Sequence, residues 1–210
     1  MITYVETNFV LELAFLQKEH DCCAQLLNLA EKKQIELLVP AYSLGEAYEK
    51  LIRRRNERAE LLRRLGKELS ELGRTIPYAD AVTRFSELTN FLSDSNEHEY
   101  QRLVEIHRRI LDVATIIPTE LQALQLSLSA QKSLGLSPQD SIVYASVQHH
   151  LATHKEASCF LNKNTRDFSN PKIRNEFTAH GCQVIATFTD GLSYISNQLQ
   201  QQTTPPSSPN

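Results

Sequence analysis

The feature that most constrains the fold of this chain is the alternation of short β-like runs with long helical stretches. Four apolar runs, at residues 2–5, 35–39, 157–161 and 182–186, are typical of β-strands. Strands that alternate with helices usually pair in parallel, with helices covering both faces of the sheet. The sequence therefore predicts an α/β fold with a parallel sheet of about four to five strands flanked by helices.

The stretch between the second and third strand-like runs is too long for a simple crossover. Its apolar periodicity predicts one helix from residue 41 to about 72, followed by helices at about 78–93, 97–115 and 119–134. Further helices are expected at 138–154, before Gly181 and from residue 190. We therefore expect a single domain over 1–198, with a helical elaboration at about 56–118 and a disordered low-complexity tail at 199–210.

Composition excludes several classes of protein. The chain has 210 residues, 41% of them hydrophobic, which is enough for one core. No apolar run reaches the roughly 20 residues of a membrane span, and the first residues lack the basic segment of a signal peptide. The four cysteines form no C-x-x-C pair, so we expect reduced thiols in a cytoplasmic protein without a membrane partner.

Four acidic residues lie where predicted strands end or predicted helices begin. Glu6 follows the first strand, Glu46 lies in the first turns of the long helix, Asp140 opens a later helix, and Asp167 follows the third strand. In a parallel α/β sheet, the carboxyl ends of strands and the amino ends of helices share one edge, where ligands bind. We therefore expect these four carboxylates to converge in one cleft.

Converging carboxylates repel one another unless a cation offsets their charge. Oxygen ligands favour hard ions, and the sequence therefore predicts Mg²⁺ or Mn²⁺ as the cofactor. An ion of this kind lowers the pKa of a bound water and stabilises charge on a leaving oxygen, which suits phosphodiester hydrolysis without a covalent intermediate.

Each acid also has a purely structural alternative. Glu6 is suited to capping the first helix, Glu46 to an ion pair with the lysine one turn later, Asp140 to a capping box with the preceding serine, and Asp167 to an Asx turn. The alternatives stay open for each residue taken alone. The joint pattern favours a metal site.

Four short segments resemble the motifs of the PIN domain nucleases, a family that includes the VapC-type toxins. They are residues 4–10, 38–46, 136–144 and 160–168, in the order that the family has them. The resemblance implies catalytic and metal-binding roles for Glu6, Glu46, Asp140 and Asp167. This chain differs from the family in having Glu6 where the first acid is usually Asp, and in its extra helical region.

The same motifs contain polar neighbours with supporting roles. Thr7 and Asn8 follow the first acid, and Asn164 lies where many members of the family have Asp. Thr7 is suited to orienting a carboxylate or a water, and alternatively to capping the helix. Asn164 offers a hydrogen-bond donor or a neutral oxygen.

The resemblance implies a metal-dependent endoribonuclease with RNA as its substrate. The likeness to VapC-type toxins leaves open the toxin half of a toxin–antitoxin pair, with an antitoxin protein as partner. One alternative is a catalytically silent PIN-like module that binds RNA or a protein. Another is a helical interaction protein in which the acids are ordinary helix caps.

Residues 50–67 carry a net charge of +6, whereas the whole chain has −3. Most charges in this segment fall on one helix face and alternate in sign, which indicates an ion-paired surface. Arg54, Arg55 and Arg58 point nearer the apolar side. We predict that these three contact RNA, with a bend of the helix or a protein partner as the alternatives.

A leucine stripe follows on the same predicted helix. It is suited either to packing within the chain or to the interface of a homodimer, which we expect to form through the helical layer; the stripe comprises Leu61, Leu62, Leu65, Leu69 and Leu72.

Overall fold

The computed structural model describes residues 1–154, 156–164, 168 and 170–203, apart from the side chains of residues 79–81, 83, 84, 86–88, 202 and 203. The strands are β1 Ile2–Val5, β2 Glu36–Pro40, β3 Thr115–Ile117, β4 Ser158–Leu161 and β5 Cys182–Ile185. The helices are α1 Thr7–Phe15, α2 His20–Glu31, α3 Ala41–Leu72, α4 Ala79–Val113, α5 Leu121–Leu134, α6 Pro138–Thr153, α7 Pro171–Ala179 and α8 Phe188–Thr203.

All described strands pair in parallel in one sheet. The strand order is β3-β2-β1-β4-β5, with Thr3 of β1 opposite Leu37 of β2 and Cys159 of β4. The predicted α/β fold with a parallel, helix-flanked sheet is confirmed. Because the chain adds β2 and β3 on one side of β1 and β4 and β5 on the other, the order reverses between β1 and β4.

The two faces of the sheet bury alternate residues of each strand, as the two-residue period of a strand requires. Val5 and Leu161 face one core, where α1, α2, α4 and α8 pack. Tyr4 and Phe160 face the other, covered by α5, α6 and α7. The strands are therefore buried on both sides, which explains why they are nearly continuous apolar runs.

Helices α3 and α4 form a long antiparallel hairpin. The buried residues of α3 are Ser43, Ala47 and Leu51, all in its first turns, while those among the described side chains of α4 begin at Glu99. The rest of α3 extends roughly 30 Å further, at about 1.5 Å per residue. Since α3 starts where β2 ends, the hairpin projects from the carboxyl edge of the sheet.

Two predictions for this region are wrong. The helices expected at 78–93 and 97–115 are one continuous helix, α4, and the chain then forms β3, which was not predicted. Between the two expected helices, Ser95 and Asn96 accept hydrogen bonds from Arg58 of α3 and stay helical. With three residues, β3 is too short to show a period of two.

The last helix ends later than the sequence suggested. Helix α8 continues through Thr203, inside the segment 199–210 that we expected to be disordered. Residues 204–210 of that predicted tail lie outside the described part of the chain. Within the described part, no helix combines the length and the apolar character that a membrane span needs.

Candidate active site

The candidate site lies at the carboxyl edge of the sheet, where the strand order reverses. Ligands of open parallel sheets bind at this point, because the connections on either side of it diverge and leave a crevice. Glu6 follows β1 and Asn162 follows β4, the two strands that flank the reversal. The first turns of α3 and α6 lie around the same crevice and contribute Glu46 and Asp140.

Glu6 is buried, with 6% of its surface exposed. It is the N-cap of α1, and its Oε2 accepts a hydrogen bond from the backbone N–H of Asn8 at 2.8 Å. The other oxygen, Oε1, is also buried and has no hydrogen-bond partner among the described residues. The capping role and an open acceptor at the cleft therefore coexist in one side chain.

This environment raises the pKa of the Glu6 carboxyl group to about 7. Burial is the largest cause, since it disfavours the charged form. The hydrogen bonds from Asn8 and the charge of Lys50 lower the pKa in part, and the charge of Glu46 raises it slightly. Near neutral pH, Glu6 is thus divided between its protonated and ionised forms.

Glu46 is held from two sides. The hydroxyl of the buried Thr7 donates a hydrogen bond to Oε2 of Glu46, so α1 orients a carboxylate on α3. The Nζ of Lys50 lies 3.1 Å from Oε1, one helical turn away. The contact of Thr7 with a carboxylate and the ion pair of Glu46 with Lys50, both considered from the sequence, are present, and the supporting role of Thr7 stays a prediction.

Asp140 lies in the first turn of α6. Its backbone N–H donates to Oγ of Ser137 at 3.1 Å, and the Ser137 hydroxyl donates to Oδ2 of Asp140 at 2.5 Å. The Nδ2 of Asn164 donates to Oδ1 at 3.1 Å. The capping box considered for Asp140 is therefore present, and its hydrogen bonds hold the carboxylate at the cleft.

The loop after β4 forms the remaining wall. Asn162 is buried, and its Oδ1 accepts the backbone N–H of Asn164 at 2.6 Å. Between them, Lys163 turns away from the cleft and forms ion pairs with Glu12 at 2.5 Å and Glu19 at 3.3 Å. Because Glu12 is almost completely buried, these pairs anchor the loop to α1 and to the start of α2.

The cleft has a volume of about 250 Å³ and is lined mostly by polar groups. This is smaller than the roughly 300–1,000 Å³ of pockets that enclose whole small molecules. Most of its side chains fall into three chemical groups: the carboxylates Glu6, Glu46 and Asp140, the amides Asn8, Gln139, Asn162 and Asn164, and the cations Lys50 and Arg53; the hydroxyl of Ser137 and the apolar Val143 complete the lining.

The structure brings most of the predicted site residues together. Glu6, Glu46, Asp140, Asn8 and Asn164 line the cleft, and Thr7 contacts one of its carboxylates. Asp167, the fourth predicted acid, lies outside the described residues.

Sequence reasoning missed Asn162, whose only signal was its position directly after a strand at the edge where Glu6 lies. It also assigned Arg53 to the ion-paired face of the helix, whereas Arg53 lines the cleft.

The three predicted RNA-binding arginines have contacts within the chain. Arg58 donates to Glu99 at 2.9 Å, Arg54 lies 3.5 Å from the same carboxylate, and Arg55 lies over the ring of Tyr100. They face α4, on the apolar side of α3 as the helical projection indicated. RNA contact by these residues stays a prediction.

The donor chemistry of the cleft fits a hard divalent cation. Carboxylate and amide oxygens are the ligands that Mg²⁺ and Mn²⁺ prefer, and the unpartnered Oε1 of Glu6 is a buried acceptor that a cation would satisfy. Among the described residues, no three His, Cys, Asp or Glu side chains lie close enough together to form a metal site on their own. The oxygen atoms that line the cleft are therefore the type of ligand that Mg²⁺ and Mn²⁺ prefer, but the described residues do not form a preformed ligand shell.

Comparison with known proteins places the chain in a family. The family model described as PIN domain matches residues 3–168, which include Glu6, Glu46, Asp140 and both asparagines of the loop after β4. Proteins with this domain are generally nucleases, and such nucleases typically use divalent metal ions. No curated protein matches the chain.

Proposed function

Because this chain belongs to the PIN domain family, we propose that it is a metal-dependent endoribonuclease that hydrolyses RNA phosphodiesters in the cleft described above. One observation carries the proposal. Glu6, Glu46 and Asp140 come from distant segments of the chain and line the same cleft at the strand-order reversal. Packing alone does not require three acidic side chains at one crevice.

Glu6 and Asp140 would hold Mg²⁺ or Mn²⁺, with Glu46 and Asp167 as further ligands directly or through water. The chemistry supplied by such an ion is a lowered pKa of water and stabilisation of negative charge on the phosphate. The chain itself orients the acids: Thr7 fixes Glu46, while Ser137 and Asn164 fix Asp140. A carboxylate held in this way accepts the proton of the attacking water.

The described lining of the cleft supports hydrolysis by water rather than by a protein nucleophile. Neither a cysteine nor a histidine lies among the described residues that line it, and Ser137 binds Asp140 instead of a general base. A covalent mechanism needs a nucleophile with a base beside it. Carboxylates beside a phosphate fit the direct attack of water.

Several finer assignments extend this proposal. Arg54, Arg55 and Arg58 are proposed RNA contacts, and the protein is proposed to act in the cytoplasm as a homodimer. A toxin–antitoxin pair, with an antitoxin protein that covers the cleft, is the proposed biological setting.

The test is cleavage of a mixture of RNAs by the purified protein with Mg²⁺, with Mn²⁺ or with EDTA. We expect cleavage only with metal. Asp140→Asn keeps the capping geometry and removes one charge, so the protein should fold while the rate falls about 100-fold, or roughly 3 kcal/mol of transition-state stabilisation. Glu46→Gln should behave in the same way.

Glu68→Gln is the matched control, since it removes an acidic charge from an exposed position of α3 outside the cleft. Its rate should equal that of the unaltered protein. Unchanged cleavage by both Asp140→Asn and Glu46→Gln would contradict the nuclease proposal.

A second candidate function is a silent PIN-like module that binds RNA or a protein. The observation that favours it is the lack, among the described residues, of three acidic, Cys or His side chains gathered for a metal. Calorimetry with Mn²⁺, read together with the RNA cleavage assay, distinguishes the two candidate functions. Metal binding without any RNA cleavage would favour the silent module.

A further inference from the structure

The cleft contains hydrogen-bond donors and positive charge as well as carboxylates. Arg53 lies on α3, two helical turns beyond Glu46, and lines the cleft together with Lys50 and Asn162. Lys50 is already paired with Glu46. Arg53 is exposed and has neither a hydrogen bond nor an ion pair with any described residue.

The neighbouring arginines differ from Arg53 in this respect. Arg58 donates to Asn96 at 2.8 Å and to Glu99, and Arg54 lies near both Glu99 and the ring of Phe15. Their guanidinium groups are thus directed at α4 and α1. In this run of arginines, Arg53 is the one directed at the cleft.

Asn162 supplies a second donor. Its Oδ1 is fixed as the acceptor because it faces the backbone N–H of Asn164, so Nδ2 must be the opposite group. This Nδ2 is buried and has no hydrogen-bond partner among the described residues. A buried donor at the wall of a cleft is suited to an acceptor that arrives with the ligand.

We propose that Arg53 and Asn162 bind one phosphate group of the RNA backbone next to the carboxylates. This inference rests on the proposed function and adds a phosphate contact to the RNA contacts proposed for Arg54, Arg55 and Arg58. A guanidinium matches two phosphate oxygens with parallel N–H groups, and the amide of Asn162 donates to the same group.

The positively charged surface next to the cleft covers only a short part of α3. Beyond Arg53, the same face of α3 continues with Glu57 and Glu60, and Glu60 is already paired with Arg63 and Arg64. The small cleft volume also fits a stretch of backbone better than a whole nucleotide. The site therefore engages about one or two phosphates, and its affinity depends weakly on salt.

The test measures binding of a labelled single-stranded RNA over a series of KCl concentrations. An Asp140→Asn background and EDTA in the buffer keep cleavage negligible during the measurement. Arg53→Ala should weaken binding about tenfold and reduce the slope of log K against log[KCl] by about 0.7, the value for one phosphate contact on a single strand. Arg53→Lys should keep the slope and lose part of the affinity.

Asn162→Asp tests the second donor. It keeps an oxygen for the N–H of Asn164 but replaces the amide donor with a charged oxygen, so binding should weaken more than tenfold. Lys67→Ala, which removes one positive charge from the same helix far from the cleft, is the matched control and should bind within about twofold of the unaltered protein.

An unchanged slope in Arg53→Ala would overturn this assignment. A different outcome would contradict the proposed function. If RNA binding depends on Arg53 while the unaltered protein cleaves nothing with Mg²⁺ or Mn²⁺, the phosphate contact stands and the hydrolysis does not.

Discussion

The carboxyl group of Glu6 is buried with one oxygen bonded to the start of α1 and the other without a partner. An unfolded glutamate has a pKa near 4.5, whereas the folded environment raises it to about 7. Between these values the folded protein binds more protons than the unfolded chain. The free energy of unfolding of the metal-free protein must therefore fall as pH rises from about 4.5 to about 7.

Glu6→Gln removes this titration and keeps an acceptor for the N–H of Asn8. We expect the variant to be more stable than the unaltered protein at pH 8, by on the order of 3 kcal/mol, and to match it near pH 4.5. Urea denaturation in EDTA at several pH values measures the difference. Equal pH profiles for the two proteins would contradict this account of Glu6.

Glu6→Asp shortens the side chain by one methylene. Asp is a good N-cap, so stability should be kept. The carboxylate withdraws from the cleft by about 1 Å, more than the roughly 0.5 Å that a catalytic arrangement tolerates. We expect kcat/KM for RNA cleavage to fall about tenfold. Increased cleavage would mean instead that Glu6 impairs a site built for Asp.

The site residues show how far local patterns predict function. The capping box of Ser137 with Asp140 and the pair of Lys50 with Glu46 are both present. The same acids nevertheless line the cleft, so the structural and functional interpretations do not exclude each other. Asn162 escaped prediction because one asparagine after a strand carries no spacing signal, and its unpartnered donor exists only in the folded chain.

At the scale of the elements, strands buried on both faces were predicted most closely. The four apolar runs became β1, β2, β4 and β5, with ends shifted by at most one residue. Helix α3 was predicted from residue 41 to about 72 and spans these residues. The errors cluster in α4 and β3, where contacts with distant residues outweigh local preference.

Arg58 is the clearest of these contacts. It lies largely buried between α3 and α4, where it binds Glu99 through two nitrogens and also reaches Ser95 and Asn96. Arg58→Ala leaves a buried Glu99 with only the longer contact to Arg54. We expect the free energy of unfolding to fall by about 2–4 kcal/mol, measured by urea denaturation.

Replacing both partners with leucine should recover most of that loss, because no unpaired charge then remains buried. This double variant is the control that separates the charge pair from packing. If Arg58→Ala were as stable as the unaltered protein, the stabilising role assigned to the pair of Arg58 with Glu99 would be wrong.

At the scale of the whole molecule, the hairpin of α3 and α4 exposes several large apolar side chains to solvent. Ile76 is 92% exposed, Phe91 67% and Leu61 54%. In the predicted leucine stripe, Leu62, Leu65 and Leu69 are half-buried within the chain, whereas Leu61 and Leu72 face outward. Three leucines of the stripe thus pack within the chain, and the homodimer interface considered for the exposed Leu61 and Leu72 stays a prediction.

We predict that the protein is a homodimer at micromolar concentration and that Leu61→Asp makes it a monomer. An exposed aspartate adds a charge that must lose its water at the interface. Light scattering measures the mass, with Arg63→Asp as a control for added negative charge on the same helix. A monomeric mass for the unaltered protein would contradict the prediction.

The hairpin also makes this architecture tolerant of changes in length. Its two arms run side by side in opposite directions, and Arg58 on one arm meets Glu99 on the other. Removing or adding equal numbers of turns on both arms returns the chain to the same point above α1, so the crossover from β2 to β3 keeps its path. Evolution can therefore lengthen or shorten the projection without remodelling the crevice at its base.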